Sequence, residues 1–152
     1  MISSMIAVLQ RVSQAKVLVR GVESSAIGKG LLVLLCAVKG DGGADVDYMV
    51  KKTSQLRVFE DEGGKMNRSV ADIGGEVLVV SQFTLAGDTR KGNRPSFGAA
   101  EVPGRAKELY EEVVRRLGEA GLTVRTGVFG EMMEVSLVND GPVTVLLDSR
   151  ER

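Results

Sequence analysis

Leu31 to Val38 reads LLVLLCAV, eight apolar residues in succession, with GKG before it and the polar loop KGDGG after it. The run is far shorter than the roughly 20 apolar residues that a helix needs to cross a bilayer. Short apolar runs bounded by glycine-rich turns are typical of buried strands. We therefore predict a buried strand here, and we expect no membrane partner.

The segments that precede this run predict two more strands. Ile6 to Val19 is rich in β-branched residues, and its later apolar residues alternate with polar ones, which indicates one long or bent strand. Glu23 to Gly30 is typical of a short partner strand followed by a turn. Three strands are therefore expected to open the fold.

Two segments predict amphipathic helices. Asp45 and Asp47 begin the first, where acidic side chains suit a helix N-terminus, and Pro103 and Gly121 bound the second. In the first, apolar-face residues recur at i, i+3 and i+4 spacing: Val46, Met49, Val50, Thr53 and Leu56. In the second, the apolar stripe consists of Ala106, Leu109, Tyr110, Val113 and Leu117. This second helix is expected to be a scaffold.

The remaining segments predict further strands, separated by turns and one long loop. The turn Asp61 to Gly64 predicts a short hairpin, and the core strand Glu76 to Phe83 (EVLVVSQF) precedes the loop Ala86 to Gly98. The hairpin strands and the closing strands are Arg57 to Glu60, Lys65 to Asn67, Leu122 to Thr126, Glu134 to Val138 and Pro142 to Leu147, with Asn139, Asp140 and Gly141 between the last two.

The order of these elements predicts the fold class. Strands, a helix, strands, a helix and strands follow one another, which does not fit a regular alternation of strand and crossover helix. We therefore expect an α+β fold in which a strongly bent, mainly antiparallel sheet or β-barrel carries two amphipathic helices. The length of 152 residues fits a single domain spanning residues 1–152.

Composition narrows the possible functions. Apolar residues make up 43% and charged residues 26%, as in ordinary globular proteins. Lys plus Arg and Asp plus Glu number 20 each, so no net charge attracts a polyanion, and we expect no DNA partner. The N-terminal sequence MISSMIAVLQRV lacks the pattern of a secretory signal, which favours a cytoplasmic location.

Two residue types restrict the chemistry. The chain has no histidine, which excludes a Ser/His or Cys/His triad and removes the commonest zinc ligand. Cys36 is the only cysteine and lies within the apolar run, so a buried, inert thiol is expected rather than a nucleophile. We expect neither a metal nor a cofactor, and the reaction must use hydroxyls, amides, backbone dipoles, carboxylates, lysine, arginine or the substrate itself.

Two motifs resemble those of a known family. Ser81 to Leu85 reads SQFTL and Asn139 to Thr144 reads NDGPVT, and both are similar to signature motifs of the D-aminoacyl-tRNA deacylase family. The loop Asp88 to Phe97 (DTRKGNRPSF) follows the first motif, and Met1 to Ser4 stands as an extension before the family's usual start near Met5. The similarity also covers Gln10 to Val12, Phe59 to Asn67 and Glu134 to Asp148.

The resemblance implies a homodimeric hydrolase that acts on the 3′ end of aminoacyl-tRNA, an RNA partner, and proofreads its chirality. It would release D-amino acids from D-aminoacyl-tRNA and glycine from mischarged glycyl-tRNA. Gly141 and Pro142, joined by a cis peptide bond, are expected to enter the partner subunit's active site and exclude L-amino acids by shape. Arg11 is either an ordinary surface cation or, from its family position, the residue that fixes the carbonyls of this pair.

The first motif supplies the expected catalytic residues. Backbone N–H groups around Phe83 and Thr84 are expected to stabilise the oxyanion, and the resemblance implies help from the tRNA 2′-hydroxyl. Thr84 has three interpretations: its hydroxyl is a nucleophile, it positions water, or the residue merely completes a strand end. Without a neighbouring base the hydroxyl keeps its proton, which favours positioning of water over nucleophilic attack. Ser81 and Gln82 are expected to orient the substrate, the alternative being that they satisfy nearby backbone groups. Phe83 is expected either to serve the pocket for the terminal adenosine or to face the core.

Two further groups are candidates for substrate binding. The resemblance points Phe129 and Met133 toward the terminal adenosine, although such residues are usually core packing. Arg90, Lys91 and Arg94 form the only compact basic cluster next to a candidate site. Such a cluster is either a solvated loop or a contact for phosphates of the acceptor end.

Three other functions stay open from the sequence. A sister deacylase of the same fold removes L-alanine from mischarged tRNA with a different first motif, so SQFTL argues against it. A non-catalytic dimer that binds RNA ends is compatible with the balanced charge. A metal-dependent hydrolase fits poorly, because the Asp and Glu residues are scattered along the chain.

Overall fold

The computed structural model describes residues 4–151, so most of the expected extension Met1 to Ser4 lies outside the described residues. The strands are β1 (Ile6–Val19), β2 (Val22–Ile27), β3 (Gly30–Cys36), β4 (Phe59–Glu60), β5 (Met66–Arg68), β6 (Glu76–Ser81), β7 (Thr123–Thr126) and β8 (Glu134–Asp148). The helices are α1 (Gly43–Gln55) and α2 (Pro103–Glu119), and short 3-10 turns occur at Phe83–Ala86 and Ser149–Glu151. Within residues 4–151, no helix is long and apolar enough to cross a membrane.

Strand β1 organises the sheet because it is hydrogen-bonded along both edges. One edge pairs antiparallel with β3 over its first half and with β2 over its second half. The other edge pairs antiparallel with β8 along almost the whole strand. Since β1 changes neighbours midway along one edge, it must bend, and the prediction of one long strand over Ile6 to Val19 is confirmed.

The sheet continues from β3 through two parallel pairs. Strand β3 pairs with β6, and β6 pairs with β7, in the same direction. Helix α1 lies in the chain between β3 and β6, and helix α2 between β6 and β7, so each supplies the crossover that a parallel pair requires. The sheet is mainly antiparallel, as expected, but these two parallel crossovers do not follow from the sequence pattern.

The two ends of this sheet meet. In β2, the Ser25 hydroxyl donates a hydrogen bond to the Thr126 carbonyl of β7 (2.7 Å). The Gly28 N–H, just after β2, donates to Glu76 Oε1 at the start of β6 (3.0 Å). These bonds join the first strand of the order β2-β1-β3-β6-β7 to the last two. The result is a nearly closed, barrel-like sheet with two helices, which confirms the predicted α+β class.

Two apolar cores lie on opposite faces of the sheet. The outer core, between the sheet and the two helices, includes Leu31, Val33, Met49, Val77, Val79 and Leu117. The inner core, inside the barrel, contains Val12, Ala15, Val17, Ile27, Leu32, Leu78 and Val80. Successive residues of β3 and β6 belong to alternate cores, so both strands are covered on both faces. This explains why the run beginning at Leu31 is continuously apolar.

The C-terminal strand differs from the prediction. The sequence predicts two strands, Glu134 to Val138 and Pro142 to Leu147, separated by a turn. The structure instead has one strand, β8, whose two halves both pair with β1. Residues 140–143 have no partner in β1 and stand opposite Arg11, and we call them the 140–143 bulge. Pairing with the long β1 therefore outweighs the local turn preference of the sequence.

The ends of the described chain are fastened near the start of helix α1. The Met5 N–H donates to Ser149 Oγ (2.8 Å), and the Ser149 hydroxyl donates to the buried Asp45 carboxylate (2.6 Å). The Ser4 N–H donates to Asp41 Oδ1 (2.8 Å), and burial raises the pKa of Asp41. These bonds fix the start of β1 against the end of β8.

Val17 and Val22 offer a matched test of the inner core. Val17 is fully buried, whereas Val22 is 70% exposed. We expect Val17→Ala to lower the free energy of unfolding by about 2–3 kcal/mol, because buried methyl groups are lost and a cavity remains. Val22→Ala should change it by less than about 0.5 kcal/mol. Urea unfolding followed by circular dichroism measures both, and equal losses would contradict the placement of Val17.

Candidate active site

A cleft of about 780 Å³ opens at the carboxyl edge of the parallel strands. Strands β3, β6 and β7 run in one direction, so the segments that follow them meet at one edge of the sheet. Those segments and the start of α2 form the cleft, whose volume is in the usual range for small-molecule sites. Six of the predicted site residues line it: Ser81, Gln82, Phe83, Thr84, Phe129 and Met133.

The first motif changes conformation as it enters the cleft. Strand β6 ends at Ser81 and a 3-10 turn begins at Phe83, so the predicted continuation of the strand to Phe83 is wrong. The Gln82 N–H donates to a carbonyl of β3 (2.8 Å), which ties the turn to the sheet. The N–H groups of Phe83 and Thr84 come first in the turn, and neither donates a hydrogen bond within residues 4–151. Two adjacent backbone donors beside the cleft therefore have no acceptor within residues 4–151.

The Thr84 hydroxyl has a side-chain amide as its partner. Its Oγ1 accepts a hydrogen bond from Gln82 Nε2 (3.2 Å). An amide cannot remove the hydroxyl proton, and no carboxylate or amine of the described chain bonds to this oxygen. A hydroxyl that keeps its proton is a weak nucleophile but a good donor, so the geometry favours positioning over attack.

Cys36 lies beneath the 3-10 turn. Its Sγ is 3.5 Å from the carbonyl oxygens of both Phe83 and Ala37. The residue is buried, and burial raises the pKa of the thiol to about 11. Because such a thiol stays protonated at neutral pH, it is a poor nucleophile. The prediction of a buried, inert thiol is confirmed as far as burial is concerned.

One wall of the cleft is built from two aromatic rings and a thioether. Phe129 packs against Tyr110, with ring centroids 5.8 Å apart and an angle of 46° between the planes. The Tyr110 hydroxyl donates to the Val79 carbonyl (2.9 Å), and burial raises its pKa to about 12. Met133 Sδ accepts a backbone hydrogen bond (3.4 Å) and lies so near Gly127 that a Cβ there would come within 2.7 Å of the sulfur. Phe129 and Met133 are both fixed on this wall.

The ring of Phe83 lies at the mouth of the cleft. It is 58% exposed and meets the ring of Phe97 edge to face, with centroids 5.3 Å apart. Phe97 in turn packs against Gly87, where a Cβ would come within 3.1 Å of the ring. Of the two interpretations of Phe83, the structure supports the pocket and not the core.

The basic cluster lies on an exposed loop outside the cleft lining. Arg90 is paired within this loop, with its Nε and Nη2 at 2.9 and 2.6 Å from the Asp88 carboxylate. These hydrogen bonds from Arg90 lower the pKa of Asp88 to about 2. Lys91 and Arg94 are exposed and have no ion-pair partner among residues 4–151. Two of the three predicted cations are therefore unpaired.

Gly141, Pro142 and Arg11 do not line this cleft within the described part of the chain. Arg11 lines a separate polar pocket of about 120 Å³ together with Asp140. The Gly141–Pro142 peptide bond is cis, as the resemblance implies, and both residues are exposed. The residues expected to act on the ester and those expected to select chirality thus form two separate groups in one chain.

Arg11 is buried, so its interpretation as an ordinary surface cation is wrong. It is 7% exposed, and its Nε donates to the Asp140 carbonyl while its Nη1 donates to the Val58 carbonyl, each at 2.8 Å. The expected bonds to the carbonyls of Gly141 and Pro142 are replaced by one bond to the residue before them. Arg11 therefore ties the start of the 140–143 bulge to the segment that leads into β4.

Tyr110 and Phe97 are among the cleft residues that sequence reasoning missed. Tyr110 belongs to the apolar stripe of α2 that predicted a scaffold, yet its hydroxyl is the only hydrogen-bonding side-chain group in that stripe. Phe97 is the only aromatic residue in the otherwise hydrophilic loop Ala86 to Gly98. In each case, a residue that differs in chemistry from its neighbours in the sequence was the signal that could have identified it.

Sequence comparisons give one family. The family model described as D-Tyr-tRNA(Tyr) deacylase matches residues 8–148. A relative from Anaeromyxobacter dehalogenans (strain 2CP-C), named D-aminoacyl-tRNA deacylase, is 58% identical over 144 residues, covering 95% of this chain and 97% of its own length. One of the same name from Syntrophotalea carbinolica (strain DSM 2380 / NBRC 103641 / GraBd1) is 59% identical over 145 residues, with 95% and 97% covered.

Two solved structures share the fold. One, described as a c-Myc DNA unwinding element binding protein, has a TM-score of 0.88 and 43% sequence identity, covering 93% of this chain and 97% of its own. The other, titled a structural analysis of a probable eukaryotic D-amino acid tRNA deacylase, has a TM-score of 0.81. It is 18% identical, covers 95% of this chain and 99% of its own, and so shows likeness of fold alone.

Cys36 provides a test of the closed packing beneath the 3-10 turn. With a pKa of about 11, only about one thiol in a thousand is ionised at pH 8, and the group is buried as well. We expect the native protein to react with iodoacetamide at pH 8 at least about 100-fold more slowly than the urea-unfolded chain. Mass spectrometry of timed samples measures this, and comparable native and unfolded rates would show an open thiol.

Proposed function

Because the chain belongs to the D-Tyr-tRNA(Tyr) deacylase family, we propose that it hydrolyses the ester of D-aminoacyl-tRNA and releases the D-amino acid and free tRNA. Members of this family are hydrolases acting on ester bonds, and this chain is one of them. The observation that carries the proposal is the pair of free backbone donors at Phe83 and Thr84 beside the cleft. The proposed place of action is the cytoplasm.

The free N–H groups of Phe83 and Thr84 suit the transition state of ester hydrolysis. Attack of water on the ester carbonyl places negative charge on its oxygen, and two adjacent backbone donors stabilise such an oxyanion. Removing one donor of this kind typically costs a factor of 10² to 10³ in rate. The ester of an aminoacyl-tRNA is an activated one, so stabilisation of the oxyanion and placement of water are proposed to provide most of the rate enhancement.

Thr84 and Gln82 are proposed to place the reacting groups. The Thr84 hydroxyl is fixed by Gln82 and keeps its proton, so it donates to water or to the substrate. Ser81, at the end of β6, contributes a further hydroxyl to the same edge of the cleft. The adjacent ribose 2′-hydroxyl of the substrate is a candidate for the proton transfers, because no carboxylate or amine of residues 4–151 bonds to Thr84 Oγ1.

The terminal adenosine is proposed to occupy the wall formed by Phe129 and Met133. An aromatic face and a polarizable thioether both make favourable contacts with a nucleobase. Tyr110 supports this wall from below, because its ring packs on Phe129 and its hydroxyl is anchored to Val79 of β6. The base is thereby placed near the free donors of the 3-10 turn.

Chirality is proposed to be selected by shape, through the 140–143 bulge of a partner subunit. D and L substrates carry the same chemical groups, so discrimination requires that something occupy the space of an L side chain. Gly141 and Pro142 are exposed, so their carbonyls suit this role, yet these residues do not line the cleft of their own chain. Their separation supports a homodimer in which each bulge serves the other subunit's cleft.

The backbone conformation at position 141 requires glycine. Its φ of +139° is one that residues with a side chain rarely adopt, and a Cβ would come within 2.9 Å of Val143 Cγ2 and 3.1 Å of Arg11 Nη2.

Glycine as an amino acid substrate has no side chain to exclude, so glycyl-tRNA is also a proposed substrate.

Other activities predict different substrates. A deacylase for L-alanyl-tRNA would clear that substrate faster than D-Tyr-tRNA, and a non-catalytic RNA-end-binding dimer would clear neither. The solved structure described as a c-Myc DNA unwinding element binding protein raises DNA as an alternative ligand. The net charge of zero argues against extended contact with any polyanion, so a tRNA would be held only near its 3′ end. A metal-dependent hydrolase would lose activity in a chelator.

Deacylation of matched substrates tests the proposed function. We expect D-Tyr-tRNA to be cleared at least about 100-fold faster than L-Tyr-tRNA, glycyl-tRNA to be hydrolysed measurably, and activity to persist in EDTA. Gly141→Ala should raise the ratio of L to D kcat/KM by about tenfold or more, since the bulge must shift.

Gly118→Ala is the matched control for that substitution, because Gly118 lies in α2 and a Cβ at this position would have no neighbour within 4 Å. It should leave both rates unchanged. Equal clearance of the D and L substrates by the unaltered protein would refute the proposed function.

The two unpaired cations give a separate prediction about RNA contact. If Lys91 and Arg94 contact phosphates, Lys91→Ala with Arg94→Ala should weaken tRNA binding and reduce the slope of log affinity against log salt by about one unit per lost contact. Lys51→Ala with Lys52→Ala on the exposed surface of α1 removes the same charge and should leave the slope unchanged. Filter binding from 50 to 200 mM salt measures both, and identical slopes would remove the loop from the RNA interface.

A further inference from the structure

The 140–143 bulge is closed by a side chain that has no role in the function proposed above. Asn139 is the last residue before the bulge, and Val143 is its last member. Asn139 Oδ1 accepts a hydrogen bond from the Val143 N–H (2.7 Å), and Asn139 Nδ2 donates to the Val143 carbonyl (3.3 Å). One amide side chain therefore bonds to both backbone groups of the residue four positions on.

This pair of bonds copies the pairing of two strands. A residue in a β ladder exchanges an N–H and a carbonyl bond with its partner, and Val143 has no partner in β1. The Asn139 amide presents an acceptor and a donor in the same way, so it takes the place of the absent strand residue. Nδ2 also donates to Thr144 Oγ1 (3.0 Å), which extends the contact to the residue where pairing with β1 resumes.

We propose that Asn139 is a positioning residue for stereochemical selection, because it sets the path of the backbone that carries the Gly141 and Pro142 carbonyls. This inference rests on the proposed function. Arg11 holds the bulge at its start, through the Asp140 carbonyl, and Asn139 closes it at its end. With both anchors in place, the two exposed residues between them have a defined position relative to β1.

The chemistry of the side chain allows a sharp substitution. Asn139→Asp has nearly the same shape and keeps an acceptor for the Val143 N–H, but it loses both donors and places a carboxylate oxygen beside the Val143 carbonyl. Asn139→Ala removes all three bonds. Thr144→Val removes only the outer bond and leaves the pair to Val143 intact.

The experiment measures kcat/KM for D-Tyr-tRNA and L-Tyr-tRNA in the full-length variants, together with thermal unfolding. For Asn139→Asp and Asn139→Ala, we expect the L to D ratio to rise by about tenfold, while the D rate stays within about threefold of the unaltered protein. Thr144→Val should change the ratio by less than about threefold. Asn67→Ala, which removes an exposed amide–carboxylate bond at the β4–β5 hairpin, is the matched control and should change neither rate.

Each outcome has a separate meaning. A folded Asn139→Asp protein with an unchanged L to D ratio would overturn the positioning role, even if the proposed function holds. Parallel loss of both rates together with a lowered unfolding temperature in Asn139→Asp and Asn139→Ala would also overturn it, since that pattern is merely structural. If the unaltered protein fails to discriminate between D and L substrates, the proposed function itself is wrong.

Discussion

Hydrogen bonding along both edges of β1 is the constraint on which the rest of the structure depends. One edge carries β3 and then β2, which bends the sheet toward closure, and the other edge carries β8. Pairing with β1 fixes the position of β3, β3 pairs with β6, and β6 pairs with β7. The cleft forms at the carboxyl ends of these parallel strands. Because β8 pairs with β1 in both halves, its four residues opposite Arg11 have no partner in β1 and form the bulge.

The fold was largely predictable where burial imposes a simple pattern. Leu31 to Val38 and the stripes of the two helices were identified because each pattern reports which faces are covered. Three features depend on contacts between distant segments and leave no local signal. They are the parallel crossovers, the 3-10 turn that begins at Phe83, and the continuity of β8 through Asn139-Asp140-Gly141, which by composition is a turn.

The sequence predicted six of the residues that line the cleft, but it did not show how the predicted site residues are grouped in space. SQFTL and NDGPVT named the residues through resemblance, whereas the residues alone left Ser81, Gln82 and Thr84 ambiguous between structural and chemical roles. Only the folded structure shows that Phe129 and Met133 share a cleft with Thr84 and that Gly141 does not. The burial of Arg11 was likewise hidden, because its partners are backbone carbonyls, which carry no sequence identity.

The bulge leaves β8 paired with β1 on both sides of it, although the register shifts there, and this has a consequence for how such a protein diverges. A change in the composition of Asp140, Gly141 or Pro142 alters what protrudes, yet the residues that pair with β1 are kept, whereas Val143 packs against the outer core. The SQFTL motif of the cleft begins at the end of a different strand, β6. Under the proposed function, the residues that select the substrate and those that stabilise the oxyanion therefore lie on different strands, so one set can change while the other is kept.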